Sequence, residues 1–333
     1  MSRLLAAAAA LLSLASAAGA QAAEACVNDA PNPYYVRAGW AKLPQGRIWG
    51  AASALTVSPA GQVWAADRCG GTTCAGSALS PVMGFDGDGN LKGNFGAGAF
   101  VQPHGISVDR AGNIWVADSL AADGKGQQVL KFSPQGKLLM TLGTAGKAGT
   151  GTDTFDQPTS IAFAPNGDIY VSEGHAPSNG NSRILRFSRT GKLLKVIGTK
   201  GSGNDQFLGP HGLAVDSRGR LFVADRGNLR VSILDANGKF LEAWTQWGTP
   251  QGIYIDAKDN LYVSDTSSNG MVNPGCKRGV RVGSARTGKV EALIPDPTPG
   301  DAGSGAEGVS ADRDGNIYGA FVATREFRQW VKR

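Results

Sequence analysis

The chain holds three histidines, and each stands in a Gly- or Pro-bounded turn at the end of a short apolar run. They lie in Gln102-Pro103-His104-Gly105, Ser172-Glu173-Gly174-His175-Ala176-Pro177 and Gly209-Pro210-His211-Gly212. A neutral imidazole is the commonest metal ligand, and its ordinary pKa near neutrality also suits it to proton transfer. Glu307 opens a related run, Glu307-Gly308-Val309-Ser310. Two imidazoles and a carboxylate with positions left open make a catalytic set for Zn²⁺, and also for Fe²⁺ or Mn²⁺. Arg68 and Arg226 complete the inventory, in Ala66-Asp67-Arg68 and Ala224-Asp225-Arg226. Two guanidinium groups on opposite sides of a site can grip a carboxylate, although an arginine beside an acid is just as well used in pairing with it.

What could bring these residues together is a repeat. A turn, an apolar strand ending in acid, a glycine hairpin and a second apolar strand recur six times. The clearest copies run from Gln102 to Asp118 and from Pro210 to Asp225, with weaker ones beginning near Ser53, Thr159, Gln251 and Glu307. The spacing, about 51 residues, suits four short strands per repeat, and a module of that kind buries its apolar faces only against its neighbours. Helical periodicity is absent. The sixth copy ends at Trp330-Val331-Lys332-Arg333 after three strands, and Tyr34–Trp40 is expected to supply the fourth. The fold class expected is therefore all-β: a six-bladed β-propeller whose N-terminal strand closes the last blade.

In that fold the residues before each innermost strand and after each second strand meet on one rim. Ser53, His104, Thr159, His211, Gln251 and Glu307 form a ring of equivalent positions, and His104, His211 and Glu307 occupy alternate blades. They then face one another across the axis as candidate metal ligands, where a single histidine would need no more than a water. Arg68 and Arg226 sit on opposite blades, and His175, on the loop after a second strand, is the candidate general base. The acids Asp67, Asp118, Glu173, Asp225 and Asp265 recur too regularly for chemistry; they are expected to accept backbone N–H bonds from the loops that follow them.

The bulk properties narrow the setting. Met1-Ser2-Arg3, an Ala/Leu run to Ala18 and Ala20-Gln21-Ala22 read as a signal peptide over 1–22, cleaved after Ala22, which predicts a periplasmic or secreted protein. Residues 23–33 are an extension and 34–333 the propeller. No segment has the roughly 20 apolar residues of a membrane helix. The net charge of +6 comes from scattered Lys and Arg, with no basic run for nucleic acid. Four cysteines allow two disulfides: Cys69 and Cys74 can staple a loop, and Cys26 and Cys276 remain, their separation not legible. The expected partner is a small molecule or peptide bearing a carboxylate, bound by a monomer.

The repeats resemble the NHL family. Over nearly the whole chain the sequence is also similar to bacterial relatives of the peptidyl-α-hydroxyglycine α-amidating lyases. The residues carrying this are Phe100–Gly105, Phe155–Thr159, Ser172–His175 with Asn181–Ile184, Gly209–His211 and Ala224–Arg226. The resemblance implies cleavage of a carbinolamide to an amide and glyoxylate, at a zinc held by three histidines. His104 and His211 match two of them and Glu307 stands at the third; Arg68 and Arg226 match the substrate arginines, and His175 replaces the catalytic tyrosine. Gly308 replaces the aspartate of a structural calcium site, which argues against calcium. The function expected is an exported metal-dependent lyase; the alternative is a non-catalytic propeller serving as a platform for proteins or glycans.

Overall fold

The computed structural model describes residues 25–37, 39–175, 181–297 and 305–333, so the expected signal peptide lies outside the described residues. The described chain forms six four-stranded antiparallel sheets around an axis, which is the expected propeller. Blade 2 is representative: Pro103–Val108 is innermost, followed outward by Ile114–Ala122, Lys125–Phe132 and Leu138–Leu142. The other innermost strands are Ala52–Val57, Pro158–Phe163, Pro210–Val215, Pro250–Ile255 and Gly308–Ala311. Ring closure is also as expected: Tyr34–Arg37 pairs antiparallel with Glu326–Lys332, Tyr34 opposite Lys332 and Arg37 opposite Gln329. No helix among the described residues is long and apolar enough to cross a membrane.

Packing follows the logic of the repeat. Each hydrophobic cluster joins two adjacent blades rather than filling one. Trp64, Val82, Ile106, Val116 and Phe132 join blades 1 and 2, and Tyr318, Ala320, Leu55, Val63 and Phe85 join blades 6 and 1. One position near the start of the second strand does this in every blade: it holds Trp64, Trp115, Tyr170, Phe222, Tyr262 or Tyr318, each in the cluster shared with the following blade. An aromatic ring is large enough to reach the neighbouring sheet and bury there.

The N-terminal residues are fastened before the closing strand begins. Cys26 is bonded to Cys276, and Cys69 to Cys74. Val27 N–H donates to Gln246 O (3.1 Å), and Arg281, wholly buried, donates to Val27 O (3.0 Å). Asp265, 3.5 Å from Arg281, balances its charge.

Candidate metal centre

The ring positions owe their inward aim to β-bulges. In blades 1 to 5 the pairing of the innermost strand with its neighbour slips at the ring residue: Pro103 pairs with Asp118 and Gly105 with Ala117, leaving His104 unpaired. The same slip isolates Ser53, Thr159, His211 with Gly212, and Gln251 with Gly252. A bulge inserts one residue and re-aims its side chain, here toward the axis. The glycine after three ring residues, and the one opening the sixth inner strand, let adjacent inner strands approach. A Cβ on Gly212 would lie 2.5 Å from Gln251 O, and one on Gly252 2.5 Å from Glu307 O.

The recurring acids hold the chain leading into each bulge. Asp118 accepts from the N–H groups of Val101 (2.9 Å) and Gln102 (2.5 Å), Glu173 from Asp156 (2.7 Å), Asp225 from Leu208 (2.8 Å) and Asp67 from Gly50 (2.6 Å). This corrects the sequence expectation, which placed the donors in the following loop. They come instead from the segment entering the same blade; among the described residues only Asp265 takes both, from Thr249 before it and Ser268 after it. The acids are scaffold, but scaffold for the site. Burial pushes the Asp118 carboxyl up to about 6, against its two backbone bonds.

Around the axis the ring residues bond head to tail. Ser53 Oγ donates to His104 O (2.8 Å), His104 Nδ1 meets Thr159 O (3.0 Å), Thr159 Oγ1 donates to Pro210 O (2.9 Å), and His211 Nδ1 meets Gln251 O (3.3 Å). A carbonyl only accepts, so both Nδ1 atoms carry the proton and both neutral rings turn an Nε2 lone pair inward. These lone pairs face the same carboxylate oxygen: Glu307 Oε1 lies 3.3 Å from His104 Nε2 and 3.4 Å from His211 Nε2.

All three atoms are buried and none has a hydrogen-bond partner. Three acceptors in mutual contact repel unless a cation lies between them. Burial, with Arg226 and His104 adding to it, pushes His211 down to about 4, against the opposing pull of the adjoining Glu307. Burial alone would raise Glu307, but the adjoining His104 and His211 outweigh it and hold its carboxyl well below the usual range. A tetrahedral ion with bonds of about 2.0–2.1 Å separates its ligand atoms by roughly 3.3–3.4 Å, the separation found here between Glu307 Oε1 and each imidazole nitrogen. The donor set fits a divalent metal.

The ring of His175, the candidate general base, packs against both other imidazoles, 4.8 Å from His104 and 5.5 Å from His211 between centroids, and all four candidate ligand atoms lie within 4.8 Å of one another. Burial, together with His104, His211 and Arg226, pushes it down to about 2. Arg68 and Arg226 flank the cluster as expected. Neither has a carboxylate within 4 Å among the described residues, because Asp67 pairs with Arg47 and Asp225 with Arg230. Burial lowers both guanidinium pKa values and Glu307 partly offsets it. Each touches the backbone of the metal group: Arg68 Nε donates to Pro103 O (3.4 Å), and Arg226 Nη2 to His175 O.

Below the cluster a cavity of about 700 Å³ follows the axis to the opposite face, its walls including Leu55, Val57, Ile106, Val108 and Phe163. The ring of imidazoles and Glu307 closes its upper end.

Comparison with known proteins agrees with this architecture. The NHL repeat model matches residues 100–132 and 207–234, which lie in blades 2 and 4 of the six-bladed β-propeller. NHL repeat-containing protein 3 of Homo sapiens is 36% identical over 45% of this chain and 44% of its own length. Peptidyl-alpha-hydroxyglycine alpha-amidating lyase 2 of Drosophila melanogaster is 34% identical over 43% of this chain and 33% of its own. The chain thus spans less than half the length of these curated relatives. Among solved structures, virginiamycin B lyase from Staphylococcus aureus shares the fold at a TM-score of 0.56 and 15% identity, over 87% of this chain and 83% of its own.

Proposed function

We propose that the protein is an exported metal-dependent lyase acting on a carboxylate-bearing carbinolamide of the α-hydroxyglycine type. The observation that carries this is the triad of buried, unpartnered atoms His104 Nε2, His211 Nε2 and Glu307 Oε1, the carboxylate oxygen 3.3–3.4 Å from each nitrogen. A divalent ion held by these residues, zinc above all, supplies a Lewis acid for the substrate hydroxyl or carbonyl. Among the described residues neither Arg68 nor Arg226 has a carboxylate within 4 Å, which leaves both free to grip that of a substrate. His175, released from the cluster, takes the hydroxyl proton; the C–N bond breaks as the aldehyde forms, and the proton passes to the departing amide nitrogen. The similarity to a peptidyl-alpha-hydroxyglycine alpha-amidating lyase supports the reaction class, and two disulfides support an oxidising, exported setting.

The test is elemental analysis of the exported protein, followed by an assay of glyoxylate release from N-benzoyl-α-hydroxyglycine. About one equivalent of divalent metal and metal-dependent glyoxylate release are expected. No metal as purified and none on titration would overturn the reading in favour of the platform alternative.

A further inference from the structure

Three imidazoles converge on this site, and the substrate-side role expected of His175 does not explain why. Its ring lies as near to His104 as the ring of His211 does, at 4.8 Å. One ring nitrogen of each histidine and one Glu307 oxygen all lie within 4.8 Å of one another. Even at that outer limit, the centre of a tetrahedron is about 2.9 Å from each corner, so a shift of under about 1 Å per ligand reaches bonding distance. The residue is also held there: Gly174, at a φ of 117°, brings the chain inward, Gly174 N–H donates to Gln157 O (3.0 Å), and Arg226 Nη2 donates to His175 O.

Arg226 acts one step further back than the Thr159 and Gln251 carbonyls, which bond the rings of His104 and His211: it touches no ring atom and holds the main chain of His175. Loss of a group that orients a ligand costs about 10–100-fold in metal affinity, and Arg226 belongs at the low end of that range.

We propose that in the resting protein His175 is the fourth ligand, completing a three-histidine, one-glutamate set, and that Arg226 positions it through its main-chain carbonyl. This rests on the metal reading above and refines it: the resting site is closed by protein, and His175 becomes a base only after leaving the ion.

Full-length protein, stripped of metal and reloaded with Co²⁺ alone, tests this without any turnover. The paramagnetic ion shifts the ring N–H resonance of each bound histidine out of the diamagnetic envelope, so wild type is expected to show three exchangeable shifted signals. His175→Gln is expected to show two, with Co²⁺ bound more than about 100-fold more weakly, beyond the loss of a merely orienting group. Arg226→Gln is expected to keep all three while losing about 10-fold or more in affinity. The thermal midpoint of each metal-free variant reports whether it folds, and the wild-type signal count needs no variant. Two signals in wild type, or His175→Gln binding within about 10-fold of wild type, overturns the inference and leaves the two-histidine centre standing. A wild type that takes up no Co²⁺ overturns the metal reading with it.

Discussion

At the residue scale the protein depends on three lone pairs aimed at one point. Exchanging both His104 and His211 for Ala removes two ligands, and elemental analysis is expected to find no stoichiometric metal. Glu307→Gln keeps the shape but loses the anion, and is expected to bind metal at least about 10-fold more weakly, whereas Glu307→His restores a neutral nitrogen and retains the ion. The same burial makes the metal-free protein sensitive to acid. His211 sits at about 4 in the folded chain and near 6.5 when unfolded, so the unfolded chain binds the extra proton between those values and stability falls as pH drops from about 6.5 to 4. Asp118, raised to about 6, acts in the opposite direction over part of that range. Thermal unfolding of metal-free His211→Gln across pH 4–7 isolates the histidine term: its midpoint should fall less steeply with acid than that of wild type.

At the element scale the innermost strand and its bulge decide whether those lone pairs meet. The strand ends in an acid-held segment on one side and abuts the next blade's carbonyls on the other. Gly212→Ala places a Cβ 2.5 Å from Gln251 O, the carbonyl that sets the His211 tautomer. It is expected to cost about 1–3 kcal/mol of stability, and metal titration should show weakened binding as well. A stability loss with unchanged metal affinity would show that the strand can shift without moving His211. Asp118→Ala leaves the Val101 and Gln102 N–H groups unpaired and is expected to cost about 1–3 kcal/mol by chemical denaturation.

At the scale of the whole molecule the ring is closed by a short strand, Tyr34–Arg37, and fastened just upstream by Cys26–Cys276 across a sequence separation of 250. Replacing both cysteines by Ser is expected to destabilise the protein by about 2–5 kcal/mol. Because the six interblade clusters form one closed circuit, the unfolding transition of that variant should remain a single step in calorimetry. Early loss of blade 6 as a separate transition would instead show that closure rests on the disulfide.

The repeat count, the strand that closes the ring and the residues that share its rim are all legible in the sequence. Each of these follows from periodicity and from the need of every module to bury its faces against a neighbour. It also contained a signal left unread, the aromatic at one position in all six second strands. How the rim residues are aimed is legible only in three dimensions: the bulges at His104 and His211, the carbonyls that fix their tautomers, and the packing of the His175 ring against both other imidazoles. The pairing of Cys26 with Cys276 belongs here too. The physical reason is common to all of them. Ångström-scale separations between residues roughly fifty to two hundred and fifty apart depend on how six sheets twist and close, and local pattern does not encode that.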